Sequence, residues 1–232
     1  MIDWGSFSPI ADTSNQGVAA LTSNGYGPYK MARTLSPSSS NQVTEPGRKI
    51  ISAWLDGGSY GQANSLPRDL SLDPQSGDLL QQFSPELMVL RTGASSPEIR
   101  SQQIEIVALF SLTANVDPQA EFGVAFAQSE DGEDEQRVSI QLGSQLVVVS
   151  RGRAAGPLLP TSSTPPTSVY VHVIFDHSII STIVNNRTAI TSYVSPRDSN
   201  STRVSLFGVD GITIECDLQV WNLRDAKNTM KT

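Results

Sequence analysis

The chain has 232 residues, 6% of them aromatic and 17% charged, with 17 Gly, 14 Pro and a formal net charge of −7 at pH 7. That length holds one sizeable domain and part of another, and the acidic balance argues against nucleic-acid and anionic-membrane partners, which need clustered Lys and Arg. A single cysteine, Cys216, excludes an intrachain disulfide and any Cys-based metal cluster, and no run of about 18 apolar residues is present to cross a membrane as a helix.

The first 75 residues read as short strands among polar loops. The opening text MIDWGSFSPIADTS has neither the basic n-region nor the apolar h-region of a signal peptide. Ser36 to Gln42 is a polar loop, Pro46-Gly47 a turn and Lys49 to Leu55 a strand. Gln62 to Asp73 reads as a further strand with Pro67 inside it, which suits a sheet edge or a bulge. Four or fewer strands cannot bury both of their faces. Residues 1–75 therefore read as a piece of something larger, and Ile50, Ile51 and Trp54 are expected to lack cover.

Residues 76–85 read as a linker. From 86 to 225 a period of two recurs, with turn signals spaced as in a sandwich. Ile104, Ile106, Ala108, Phe110 and Leu112 share one face. Phe122, Val124 and Phe126 share another. Val138-Ile140-Leu142, a Gly143-Ser144 turn and Leu146 to Val149 follow. Gly152 to Pro166 reads as a surface loop, and Val169, Val171, Val173 and Phe175 as the next inward face. Asp210-Gly211 signals a hairpin before a last strand whose apolar face is Ile212, Ile214, Cys216, Leu218 and Val220. At least eight strands result, enough for two packed antiparallel sheets. Residues 226–232 read as a tail.

Several tempting signals have plainer readings. The acidic run Glu130 to Glu135 lacks the alternating oxygen ligands and closing Glu of a calcium loop, and reads as a solvated hairpin tip. His172 and His177 point to opposite faces of an extended segment and cannot share one metal. No metal site and no cofactor are expected. Of the tryptophans, Trp221 ends a core strand and packs, which leaves Trp54 as the ligand-side candidate. Asn186-Arg187-Thr188 and Asn200-Ser201-Thr202 are sequons, so Asn186 and Asn200 are glycosylation candidates in a secreted protein.

The stretch Val171 to Pro196, VHVIFDHSIISTIVNNRTAITSYVSP, is a ribbon of apolar strands with an Asp-His-Ser turn and an Asn-Asn turn. It resembles a strand pair in the C-terminal β-sandwich of glycoside hydrolase family 32, the invertases, inulinases, levanases and plant fructan enzymes. There the text is close to F-V-D-R-S-V-V-E-V-F-V-N-D-G followed by T-S-R-V-Y-P. Gly47 to Trp54 is similar to G-R-R-I-L-W-G-W of that family's last propeller blade, and Ser65-Leu66-Pro67-Arg68-Asp69-Leu70-Ser71-Leu72 to its S-L-P-R-E-L-x-L. Asp3-Trp4-Gly5-Ser6-Phe7 resembles the strand that opens the blade. The fold implied is all-β: an incomplete last blade of a five-bladed propeller over 1–75, then a two-sheet sandwich over 86–225.

The departures carry as much as the matches. The family's sandwich glutamate is Ser181 here and the Arg of its D-R-S is His177. An aromatic that helps to wall the fructose pocket is Gly58, with Tyr60 the nearest substitute. Trp54 and Tyr60 are thus the substrate-binding candidates. The sequence contains neither the N-D-P-N-G nor the R-D-P that carry the family's aspartates. Its one E-C, Glu215-Cys216, falls on a strand with the acid outward. No catalytic residue is assigned. The resemblance implies sucrose or fructan as the carbohydrate partner, a missing N-terminal propeller half as a protein partner, and an extracellular or vacuolar setting. A non-catalytic carbohydrate-binding or assembly sandwich is the rival reading.

Overall fold

The structure is a computed structural model that describes residues 29–35, 48–56, 62–75, 77–150, 154–158 and 166–224. Its regular elements are antiparallel strands and one 3-10 turn, Pro85–Leu90.

The N-terminal sheet holds β1 (Tyr29–Leu35), β2 (Lys49–Asp56), β3 (Gln62–Asn64), β4 (Arg68–Leu72) and β5 (Leu79–Phe83). Their order is β1-β2-β4-β5, with β3 also paired to β2. The segment read as a linker thus supplies a strand, β5. The single strand expected over 62–73 is instead two. Trp54 pairs with Asn64 and Ile51 with Arg68, so three residues on one side stand opposite two on the other, a bulge. Pro67 has no N–H to give the ladder. Ser65 closes the gap: its hydroxyl accepts the Ala53 N–H at 2.8 Å, and its own N–H donates to the Ala53 carbonyl at 2.7 Å.

The C-terminal part is a sandwich of eleven strands. They are β6 (Arg91–Thr92), β7 (Gln103–Leu112), β8 (Glu121–Gln128), β9 (Gln136–Gln141), β10 (Leu146–Val149), β11 (Ala154–Pro157), β12 (Ser168–Asp176), β13 (Ile179–Val184), β14 (Thr188–Tyr193), β15 (Arg203–Phe207) and β16 (Ile214–Leu223). One sheet runs β14-β13-β12-β7-β16-β6 and the other β11-β10-β9-β8-β15. The expected loop over 152–166 therefore contains an edge strand, β11. Alternation places Phe110 and Phe175 of the first sheet and Phe122 and Phe126 of the second in one core, all fully buried. Phe110 meets Phe122 at 4.9 Å between ring centres and Phe126 meets Phe175 at 5.4 Å, so the aromatic pairs stitch the sheets together.

The turns follow from the residues that tolerate positive φ. Asn185 and Asn186 take φ of 52° and 55°, with the Arg187 N–H donating to the Val184 carbonyl at 3.0 Å. Gly208 (φ +66°) lies where an added Cβ would sit 2.1 Å from the Glu121 carbonyl oxygen, so no larger residue fits.

Two expectations about the last strand change. Ile212 is 78% exposed rather than inward, because the Asp210 carboxylate accepts the N–H groups of Ile212, Thr213 and Ile214 and bends the chain before β16 begins. Cys216 has the expected parity but is only half-buried.

Candidate functional site

The place where the two parts meet is the most elaborated region of the molecule. The outward face of the six-stranded sheet is covered near β5 by apolar side chains: Phe83 packs with Ile174, Ile183, Ala189 and Leu223, backed by Leu66 and Leu87. A second contact sets Ala53 and Leu55 of β2 against Ile179 and Tyr193. Ile51, expected to be bare, is 1% exposed, on the same face of β2 as Ala53 and Leu55. A tight crevice along the seam is lined by residues such as Ser65, Arg68, Phe83, Ser181 and Thr191, and it has no room even for a water molecule. It cannot hold a sugar chain.

Charged groups frame this seam in three sets. Glu105, 3% exposed, stands alone between Ile104 and Ile106 on the outward side of β7. Arg91 meets it in a fork, Nε and Nη2 each 2.7 Å from a carboxylate oxygen, and His172 Nε2 lies 2.7 Å away. Burial alone would raise the Glu105 carboxyl. The hydrogen bonds from Arg91 and His172 outweigh it and hold the group at about 2. The ring of Phe83 abuts His172 edge-on at 4.8 Å, and the Arg91 guanidinium lies 3.8 Å over the ring of Trp221. Trp221 therefore packs, but on the outer face.

The second set joins β2, β4 and the 3-10 turn. Arg48 donates to both Asp69 oxygens at 2.7 and 2.8 Å and to Glu86, and the Ser84 hydroxyl donates to Asp69 at 2.6 Å. The third set lies at the β13–β14 turn. Arg187 donates to Asp73 at 2.5 Å and faces Asp78 at 3.6 Å. The Asn186 carbonyl accepts the Gln81 N–H at 2.6 Å.

Among the described residues, the two buried carboxylates are engaged by structural partners. Retaining glycosidases face two carboxyls about 5 Å apart across the sugar. Here Glu105 is committed to Arg91 and His172. The other buried acid, Asp134, accepts the Arg197 N–H at 2.5 Å and the Ser201 hydroxyl at 2.8 Å. The acidic tip is therefore not wholly solvated: Asp134 anchors the 197–201 loop. Among the described residues no group of His, Cys, Asp and Glu is gathered for a metal ion.

The sequence candidates are scattered. Trp54 is a residue of β2 whose side chain lies outside what is described, and Tyr60 lies outside the described residues. Asn186 is half-buried at the seam, while Asn200 is exposed in a loop, its N–H donating to the Asp198 carboxylate. The residues that sequence reasoning missed are Glu105, Arg91 and Arg187. Glu105 left one trace, a lone acid between two isoleucines, but its partners come from strands 14 and 67 residues away.

These features define a β-sandwich with a second antiparallel sheet fastened to one outer face. The sequence pattern described as "Glycosyl hydrolases family 32 C terminal" matches residues 76–222. The chain belongs to that family. Solved structures share the fold. An exo-inulinase from Aspergillus awamori superposes with a TM-score of 0.64 at 15% identity, over 78% of this chain and 41% of that one. Fructan 1-exohydrolase IIa from Cichorium intybus gives 0.64 at 18% identity, over 87% and 49%. A fructosyltransferase from A. japonicus gives 0.65 at 15%, over 84% and 44%. The chain thus spans less than half the length of these enzymes. Comparison with curated protein sequences gives no match.

Proposed function

We propose that the chain is the C-terminal portion of a family 32 enzyme that cleaves O-glycosyl bonds in sucrose or a fructan, and that it has no turnover by itself. The observation that carries this reading is the family match over 76–222, in a fold that aligns with less than half of each fructan-acting structure. The missing N-D-P-N-G and R-D-P motifs support it, as does the commitment of the buried carboxylates to structural partners. In this reading the N-terminal sheet is the last blade of a propeller; with β5 included, its β1-β2-β4-β5 meander has a blade's four strands. The preceding blades would supply the nucleophile and the proton donor. Trp54 and Tyr60 are the proposed contacts to carbohydrate.

Incubating the purified chain with sucrose, inulin and levan tests the reading. No fructose release is expected from the chain alone. Release that survives re-purification and is lost on Asp56→Ala or Asp69→Ala would overturn it. Calorimetric binding of fructan without turnover would instead support the rival reading, a carbohydrate-binding module.

A further inference from the structure

We propose that the β13–β14 turn, Asn185-Asn186-Arg187, is a latch that makes the N-terminal sheet and the sandwich one cooperative unit, with Arg187 as its positioning residue. Three independent contacts cross the seam at this turn, and all run from residues of the turn to β5 or to the loop before it. The Asn186 carbonyl takes the outward N–H of Gln81 at 2.6 Å. The Gln81 side chain donates back to the Arg187 carbonyl at 3.4 Å. The Arg187 guanidinium, 7% exposed, reaches Asp73 at 2.5 Å and Asp78 at 3.6 Å.

The turn is rigid enough for the task. Both asparagines hold positive φ. Asn185 is anchored to β12 through the Tyr170 N–H, 2.9 Å from its Oδ1, and through its own N–H to the Tyr170 carbonyl, also 2.9 Å. The Thr188 hydroxyl ties the other end to the Pro157 carbonyl at 2.6 Å. A turn fixed at both ends presents its carbonyl and guanidinium with little entropy left to lose. Releasing the seam would break a charge-assisted pair that is largely shielded from water while the seam is closed, which couples opening of β5 to loss of that pair. The apolar contacts of Phe83 and Leu55 supply adhesion; the latch supplies register.

Hydrogen exchange on the full chain tests this without any need for enzymatic activity. In the native chain, the amides of β5, Gln81 foremost, should be protected comparably to those of Ile106, Ala108 and Phe110 in β7. Arg187→Ala should speed exchange across β5 by about tenfold to hundredfold, the scale of one charge-assisted hydrogen bond, and leave β7 unchanged. Asp73→Asn, which leaves every residue of the sandwich unaltered, should give the same pattern, and adding it to Arg187→Ala should add little. Should Arg187→Ala fail to fold, Asp73→Asn decides. Unchanged β5 protection in either folded variant, or equal loss in β5 and β7, would overturn the latch.

Discussion

The two parts of the chain reach stability by different means. The sandwich closes on itself: Phe110, Phe122, Phe126 and Phe175 are fully buried between its sheets, and its inward faces need nothing from outside. The N-terminal sheet has one face sealed by Ala53, Leu55 and Phe83 against the sandwich, and it is held there by Arg187 on Asp73, with Arg48 tying it to the 3-10 turn at Glu86. A sheet with one apolar face is stable only where another surface covers it, and here ion pairs decide where that surface binds. The sandwich should therefore respond to loss of volume, and the seam to loss of charge.

The largest expected effect is in the core. Phe126→Ala should cost about 3–5 kcal/mol and lower the denaturant midpoint of the whole chain, since it removes an aromatic bridge between the sheets. An unchanged midpoint would mean that the sandwich is not the dominant unit. Acid should act on the seam. The Glu105 carboxyl is held below its ordinary 4.5, at about 2. Its contribution is complete above about pH 4.5 and is lost as pH falls toward 2, roughly 3 kcal/mol at most. Glu105→Gln should flatten the acid limb of the stability–pH curve, and an identical limb would assign that loss to other groups.

A smaller effect of opposite sign is expected at Thr182, 1% exposed, whose hydroxyl has no hydrogen-bond partner. Thr182→Val keeps the shape and removes a buried polar atom, so it should raise stability by about 1 kcal/mol in chemical denaturation. Smallest in energy is the test at Cys216. Burial, and secondarily the charge of Asp217, push its thiol up to about 12. Labelling by a thiol reagent at neutral pH should be slow although the residue is only half-buried. Labelling as fast as a free thiol would contradict that.

The strands of the sandwich were legible because one face of each is sealed, and a sealed face writes a period of two into the text. The Asn185-Asn186 turn was legible for a different reason: few residues other than Gly accept positive φ. The strand β11, AAGP, was not, since two alanines and a glycine carry no period and its place depends on pairing with β10. Glu105, Arg187 and Asp134 stayed hidden because a charge looks the same in sequence whether it faces water or a partner. The cover of β2 was hidden for the matching reason: Ala53 and Leu55 pack on Ile179 and Tyr193, more than a hundred residues away.

Consider last the Gln81 N–H, which points away from its own sheet and is taken by a turn rather than by a strand. An outermost strand with free N–H groups is a template on which another chain can grow, and proteins guard such strands with charge, proline or cover. Here the guard is the backbone of Asn186. Unlocking it would leave β5, LLQQF, with bare amides and no charged side chain. The same contact that sets the sheet's position therefore also shields the molecule from aggregation by strand addition along that side.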